Sequence, residues 1–131
     1  MQGIRVSYLI KIKNNPNLVV AEYQKDFNFL SKRVFFVTGK KGETRGNHAH
    51  KRHSQFMICI QGSCMLNFDN GFIKESILLD SKSKGVEVSP HIWGVQKYLQ
   101  DNTTLMVLTD YQYDEEDYIR DYQEFKRFIT R

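Results

Sequence analysis

Apolar residues recur at every second position over short stretches punctuated by Gly, Asn, Asp and Ser, which is the period of half-buried β-strands. On this pattern the chain predicts strands over residues 4–12, 18–23, 33–37, 48–60, 64–68, 72–79, 86–88 and 103–109. Within residues 64–69, Cys64, Leu66 and Phe68 share one face while Asn67 and Asp69 take the other. Asp69-Asn70-Gly71 predicts a tight hairpin, because Asn and Gly reach positive φ at little cost, and Gln61-Gly62-Ser63 marks a second turn. The period changes near the end of the chain. Tyr118, Ile119, Tyr122, Phe125, Phe128 and Ile129 recur at three and four, the spacing of an amphipathic helix lying on the β body. The acids of residues 114–117 would stand at its start and Lys126, Arg127 and Arg131 at its end, so the helix dipole accounts for this charge run structurally.

Many short strands and one terminal helix predict an all-β fold, a small closed or sandwich-like barrel that could hold one ligand in its mouth. The length of 131 residues, with 40% hydrophobic and 26% charged content, suits a single domain over residues 1–131 with one core. The longest apolar run, Phe56 to Ile60, is too short to span a bilayer, and the first residues lack the apolar stretch of a secretory signal, so a soluble cytoplasmic protein with no membrane partner is expected. Two cysteines, Cys59 and Cys64, make neither a disulfide scaffold nor a Cys-x-x-Cys zinc motif, and are read as reduced core residues. Charge is graded along the chain, summing to +8 over residues 1–53, zero over 54–100 and −4 over 101–131. The basic residues never form a dense run, which argues against a nucleic-acid partner and fits a small phosphorylated ligand at least as well.

Three of the four histidines fall in His48-Ala49-His50-Lys51-Arg52-His53. On a continuous strand His48, His50 and Arg52 would project from one face, and Ala49, Lys51 and His53 from the other. Gly42, His48, His50, Gln55 and Gly62 have the spacing of the first cupin motif, with Gln55 where metal-binding cupins carry glutamate. His91 follows Pro90 directly, too early for the ligand position of the second motif, so too few ligands converge for a first-row metal site. Two readings then stand for the pair: proton transfer, since imidazole titrates near neutral pH, or ordinary half-buried strand residues.

The string Arg45-Gly46-Asn47-His48-Ala49-His50-Lys51, together with residues 59–64, the 69–71 turn, residues 33–36, residues 90–93, Thr109-Asp110-Tyr111 and residues 113–122, resembles the cupin sugar-nucleotide 3,4-ketoisomerases that act on dTDP-4-keto-6-deoxyglucose. The resemblance covers nearly the whole chain. It implies an RmlC-like jelly-roll barrel, an isomerase making a dTDP-3-keto-6-deoxyhexose on the way to 3-amino sugars of surface glycans such as the O-antigen of lipopolysaccharide, and a homodimer that exchanges N-terminal strands. It also implies no metal and no organic cofactor. By the same resemblance His48 and His50 are the catalytic pair, with His50 the more essential, and Arg33, Arg45, Arg52, Lys51 and Trp93 are candidates to bind the substrate. Relatives often carry a tyrosine at the strand holding Phe35 and Phe36. The alternative reading is a non-catalytic cupin that binds a nucleotide sugar or another small anion.

Overall fold

The computed structural model describes residues 1–10, 14, 17–80 and 84–131. Ten strands form two five-stranded antiparallel sheets. One contains β1 (Ile4–Tyr8), β7 (Lys84–Val88), β4 (Gln55–Gln61), β9 (Thr103–Thr109) and β2 (Arg33–Gly39), in that order. The other contains β10 (Tyr118–Ile119), β3 (Thr44–His50), β8 (Trp93–Tyr98), β5 (Ser63–Asp69) and β6 (Lys74–Asp80). Their inner faces supply a shared core that includes Met57, Cys59, Leu66, Val86, Tyr98 and Leu105. This is the all-β double sheet that the alternating pattern predicts.

Sheet burial explains why the strands do not all read alike. The outer face of the first sheet is covered as well: Leu9, Phe27 and Phe29 pack on Phe56 and Ile58, so β4 is apolar on both sides and shows an unbroken run. The outer face of the second sheet carries the terminal helix α1 (Tyr122–Ile129), whose Phe125 packs with Ala49, Trp93 and Ile119. Cys59 and Cys64 are buried and free, and burial pushes the Cys64 thiol up to about 12, so it behaves as an apolar core group.

Several boundaries differ from those the pattern predicts. The stretch 48–60 is two strands, separated by a bend at residues 51–54. No strand runs over 18–23; Tyr23 alone bridges Phe27, while Val19 and Ala21 lie on the outer apolar cluster. The first strand stops at Tyr8, and positions 11 and 12 of its expected range lie outside the described residues. Strand β8 lies outside the predicted strands, because its alternation lasts only from Trp93 to Gln96 before Lys97 and Tyr98 interrupt it. The 69–71 hairpin is looser than a two-residue turn: only Gly71 has positive φ, and the Asn70 carboxamide oxygen accepts from the Phe72 and Ile73 amides before β6 begins. At the other turn, Gly62 takes φ of 79° directly between β4 and β5. The helix begins after Asp121, which caps it by accepting from the Glu124 amide; Tyr118 and Ile119 are instead a short strand on the edge of β3.

The closed end of the barrel allows no added volume. A methyl group on Gly39 would lie 1.7 Å from the buried Tyr98 ring. Gly39→Ala is therefore expected to destabilise the fold by about 1–3 kcal/mol through overpacking, read as a lower urea midpoint at unchanged slope.

Candidate functional site

At the open end, β3 carries a bulge where Gly46 and Asn47 both take positive φ, and the pairing with β8 shifts between Gly46 and His48. Beyond the bulge His48 and His50 face the barrel interior while Ala49 is buried under the helix. Their rings meet edge to face with centroids 5.0 Å apart. The chain then leaves the strand. His91 fixes this departure from a positive-φ corner, with its backbone N–H donating to the His50 carbonyl at 2.8 Å and its ring bonding the Lys51 carbonyl at 2.9 Å. The fourth histidine is thus a backbone anchor.

The bend brings His53 back beside His50, their rings stacked 5.7 Å apart. Both imidazoles address one carboxylate. The Nδ1 of His50 lies 2.9 Å from Asp117 Oδ2 and that of His53 lies 3.2 Å from the same oxygen, while the Arg52 amide donates to Oδ1 at 2.7 Å. Asp117 is fully buried. A single 3₁₀ turn, Glu115–Asp117, places it: Asp114 caps the turn, the Asp117 amide donates to the Asp114 carbonyl, and the Asp117 carbonyl accepts from the Lys51 amide. These donors hold the Asp117 carboxyl below the usual carboxylate range, against burial, which acts the other way.

An ionised carboxylate only accepts, so both Nδ1 atoms carry the proton. Nε2 of His50 and of His53 has no protein partner. Burial lowers the His50 pKa, with Asp117 opposing. His48 is lowered further, to about 4, by burial first and by His50 second. Both imidazoles are therefore neutral near pH 7, the state in which Nε2 can accept a proton. His50, His53 and Asp117 also bring three ligand-type atoms within 4.8 Å of one another, so they are the residues that could close on a metal ion, at the cost of the two Nδ1 protons.

Two adjoining cavities lie beside the pair, the larger about 130 Å³, and share His48, Gln55, Met57 and Gln96 as lining residues. Arg45 reaches the larger one while pairing with Glu43 at 3.1 Å. Arg33 is half-buried, lies 4.9 Å over the Phe35 ring, has no partner at Nε, and is near enough for its charge to lower the His50 pKa. Tyr118 lines the larger cavity with its ring 4.5 Å from His50.

Three expected binding residues stand elsewhere. Strand parity fails for Arg52, because β3 ends at His50; its exposed guanidinium binds Asp114 at 2.7 Å. Lys51 is exposed in the same bend. Trp93 is on the outer face of β8, packed on Tyr122 and Phe125 beneath the helix, away from the histidine pair. Conversely, Asp117, His53 and Tyr118 were read as a helix-dipole acid, an outward strand residue and a helix-face residue. Their places depend on a bend and a two-residue edge strand that leave no periodic signal.

The buried imidazoles give a defined pH response. An unfolded histidine titrates near 6.5, and the folded pKa of both His48 and His50 lies below that. Between the two values the unfolded chain binds more protons, so stability is full above about pH 6.5 and falls as the pH drops toward 4. The urea midpoint should decline over pH 7 to 4.5, and His48→Gln should flatten that decline; an unchanged slope would show that His48 does not titrate as its burial requires.

With this geometry in place, comparison with known proteins is direct. Residues 2–130 match the family model described as FdtA, WxcM-like, C-terminal. The chain is 40% identical over 132 residues to a TDP-4-oxo-6-deoxy-alpha-D-glucose-3,4-oxoisomerase of Aneurinibacillus thermoaerophilus, covering all of this chain and 95% of that one. Among solved structures, a 3,4-ketoisomerase from Helicobacter canadensis superposes with a TM-score of 0.89 at 30% identity, over 98% of each chain. A histidine-to-asparagine variant of a Thermoanaerobacterium thermosaccharolyticum 3,4-ketoisomerase, in complex with TDP-4-keto-6-deoxyglucose, gives 0.89 at 28% identity, over 99% of this chain and 96% of that one. Full-length similarity to these proteins, on a cupin barrel with two neutral imidazoles at its mouth, establishes that the chain belongs to the sugar-nucleotide 3,4-ketoisomerase family.

Proposed function

We propose that the chain converts dTDP-4-keto-6-deoxy-D-glucose to a dTDP-3-keto-6-deoxyhexose with His50 as the base. The observation that carries the assignment is the His50 Nδ1–Asp117 hydrogen bond of 2.9 Å, which with the lowered His50 pKa leaves Nε2 as an unprotonated nitrogen at the smaller of the two adjoining cavities. Nε2 takes the hydrogen from C3, and the C–H electrons form a C3–C4 double bond while the C4 carbonyl π electrons move to its oxygen. The result is an enediolate. A proton then passes from the C3 oxygen to the C4 oxygen and another is delivered to C4, so that C3 ends as the carbonyl and C4 as the hydroxyl. Carbon C3 is oxidised and C4 reduced within one molecule, and no external electron acceptor is needed.

Asp117 orients the His50 ring and stabilises the imidazolium that forms during the first step. His48, held neutral and 5.0 Å from His50 between ring centroids, is placed to move the proton onward. Arg45 lines the larger cavity and the charge of Arg33 acts on His50, and both are assigned to the anionic parts of the substrate. Arg52, Lys51 and Trp93 do not enter this assignment, because their side chains are committed or directed elsewhere. The product carries the ketone at C3, where a transaminase would place the amine of a 3-amino-3,6-dideoxy sugar. The enzyme is assigned as a homodimer exchanging its N-terminal strand, supported by the position of β1 at a sheet edge and by Val34 and Phe36 exposed on the outer face of β2. Sedimentation at a monomer mass would remove that part.

Incubation with the 4-keto nucleotide in D₂O, followed by NMR, should place deuterium at C4 of the product and, by reversal, at C3 of the recovered substrate. His50→Asn should lower turnover by about 10² or more while dTDP binding stays near wild type, as expected for loss of a general base. Asp117→Asn should lower turnover by about 10²–10⁴, because its amide would face Nδ1 with a donor and favour the wrong tautomer. Absence of exchange in the wild-type protein at any concentration would overturn the assignment.

A further inference from the structure

We propose that Gln55 and Gln96 are the carboxamide pair that binds the two sugar oxygens which exchange roles during isomerisation. The inference rests on the ketoisomerase reading and assigns a task within the same site. Gln55 opens β4 in the interior of its sheet, paired on one side with Val88 and on the other with Thr109, so its backbone is held from both flanks. The residue is only 6% exposed. Its carboxamide makes no hydrogen bond among the described residues, yet it lines both cavities beside His48. Gln96 enters the same two cavities from the opposite sheet. Its amide lies flat over Gly46, where an added Cβ would come within 3.1 Å of both terminal atoms. The bulge glycine that turns His48 inward therefore also makes room for this amide.

Of the remaining lining of the larger cavity, Phe35, Val37, Met57, Leu105 and Val107 are apolar, while Arg45, His48 and Tyr118 are polar. A ligand in this cavity is the partner that the two amides would meet. The chemistry of a carboxamide narrows what that partner is. A diphosphate selects cations and a pyrimidine face selects apolar or aromatic surface, whereas an amide offers one donor group and one acceptor on a neutral frame. This matches a reaction in which the C3 oxygen starts as a hydroxyl and ends as a carbonyl, and the C4 oxygen does the reverse. The amide N–H donates to a carbonyl and to the enediolate oxygen between them, and the amide oxygen accepts from the hydroxyl. A carboxylate at Gln55 could only accept and would repel the enediolate. Gln55 thus occupies the position where metal-binding cupins carry glutamate with a group suited to a developing oxyanion.

Gln55→Glu, which keeps the shape, and Gln55→Met, which keeps the length without polarity, test the assignment against dTDP-4-keto-6-deoxyglucose. Both should lose kcat by about 10²-fold, with C3 deuterium exchange falling in parallel and calorimetric affinity for dTDP, which lacks the sugar, within about twofold of wild type. In Gln55→Glu the deficit relative to wild type should shrink as pH falls, because a protonated carboxyl regains a donor; Gln55→Met should show no such recovery. Gln96→Glu should behave as Gln55→Glu does. Wild-type turnover with kcat and KM unchanged in both Gln55 variants would overturn this inference alone. A parallel loss of dTDP affinity and kcat in both, with no recovery at low pH, would also overturn it, since that is the mark of a packing role. Failure of the wild-type protein to exchange the C3 hydrogen would instead remove the ketoisomerase reading itself.

Discussion

A single buried carboxylate organises the functional end of this barrel. Taking Asp117 out of water carries a desolvation cost of several kcal/mol, acceptable only because three N–H groups converge on it. Two of them, from Arg52 and His53, come from the bend after β3 and the third from His50 at the strand's end, so the carboxylate that fixes the His50 tautomer also fixes the path of the chain through Arg52 and His53. Within the bend the Ser54 amide donates to a second carboxylate, Asp110, at 3.0 Å, while Asp117 takes the Arg52 amide and faces His53. Site geometry and local fold are here one hydrogen-bonding problem.

The burial that makes Asp117 expensive also sets the charge state of the imidazoles. His48 sits at about 4 because water is excluded and His50 stands against it, so protonating either is unfavourable near neutral pH. Asp117 opposes this for His50 alone, through its hydrogen bond and its charge. Two histidines two residues apart thus acquire different basicity from one asymmetry: only one of them touches the carboxylate. The proposed division into base and shuttle rests on that difference, which arises from a contact made across 67 positions of sequence.

Apolar packing holds this arrangement from both sides. The first sheet is sandwiched between the barrel core and the Phe27–Phe29 cluster, and the second is covered by α1 through Trp93, Ala49 and Phe125. Trp93 belongs to that outer layer, and its contribution to the site is to seat the back of β3 and β8. The cavity walls are then strands carrying a few polar groups, Gln55, Gln96 and His48 among them, on a largely apolar lining.

The sequence by itself determined the all-β class, the turn at Gly62, the reduced buried cysteines and the inward pair His48 and His50, because each follows from neighbours a few residues apart whose periodicity or φ preference is local. It also carried the family, through a motif string that spans the chain. It did not determine that Arg52 faces an acid at the surface, that His53 joins His50, that Trp93 faces outward, or that Asp117 is a buried positioning group rather than a helix-dipole acid. Those depend on where β3 stops and on the pairing of Tyr118 with His50, two events governed by long-range hydrogen bonds. A period-2 pattern says which residues share a face while the strand lasts; only the tertiary structure, by satisfying a distant carboxylate, decided where it ended.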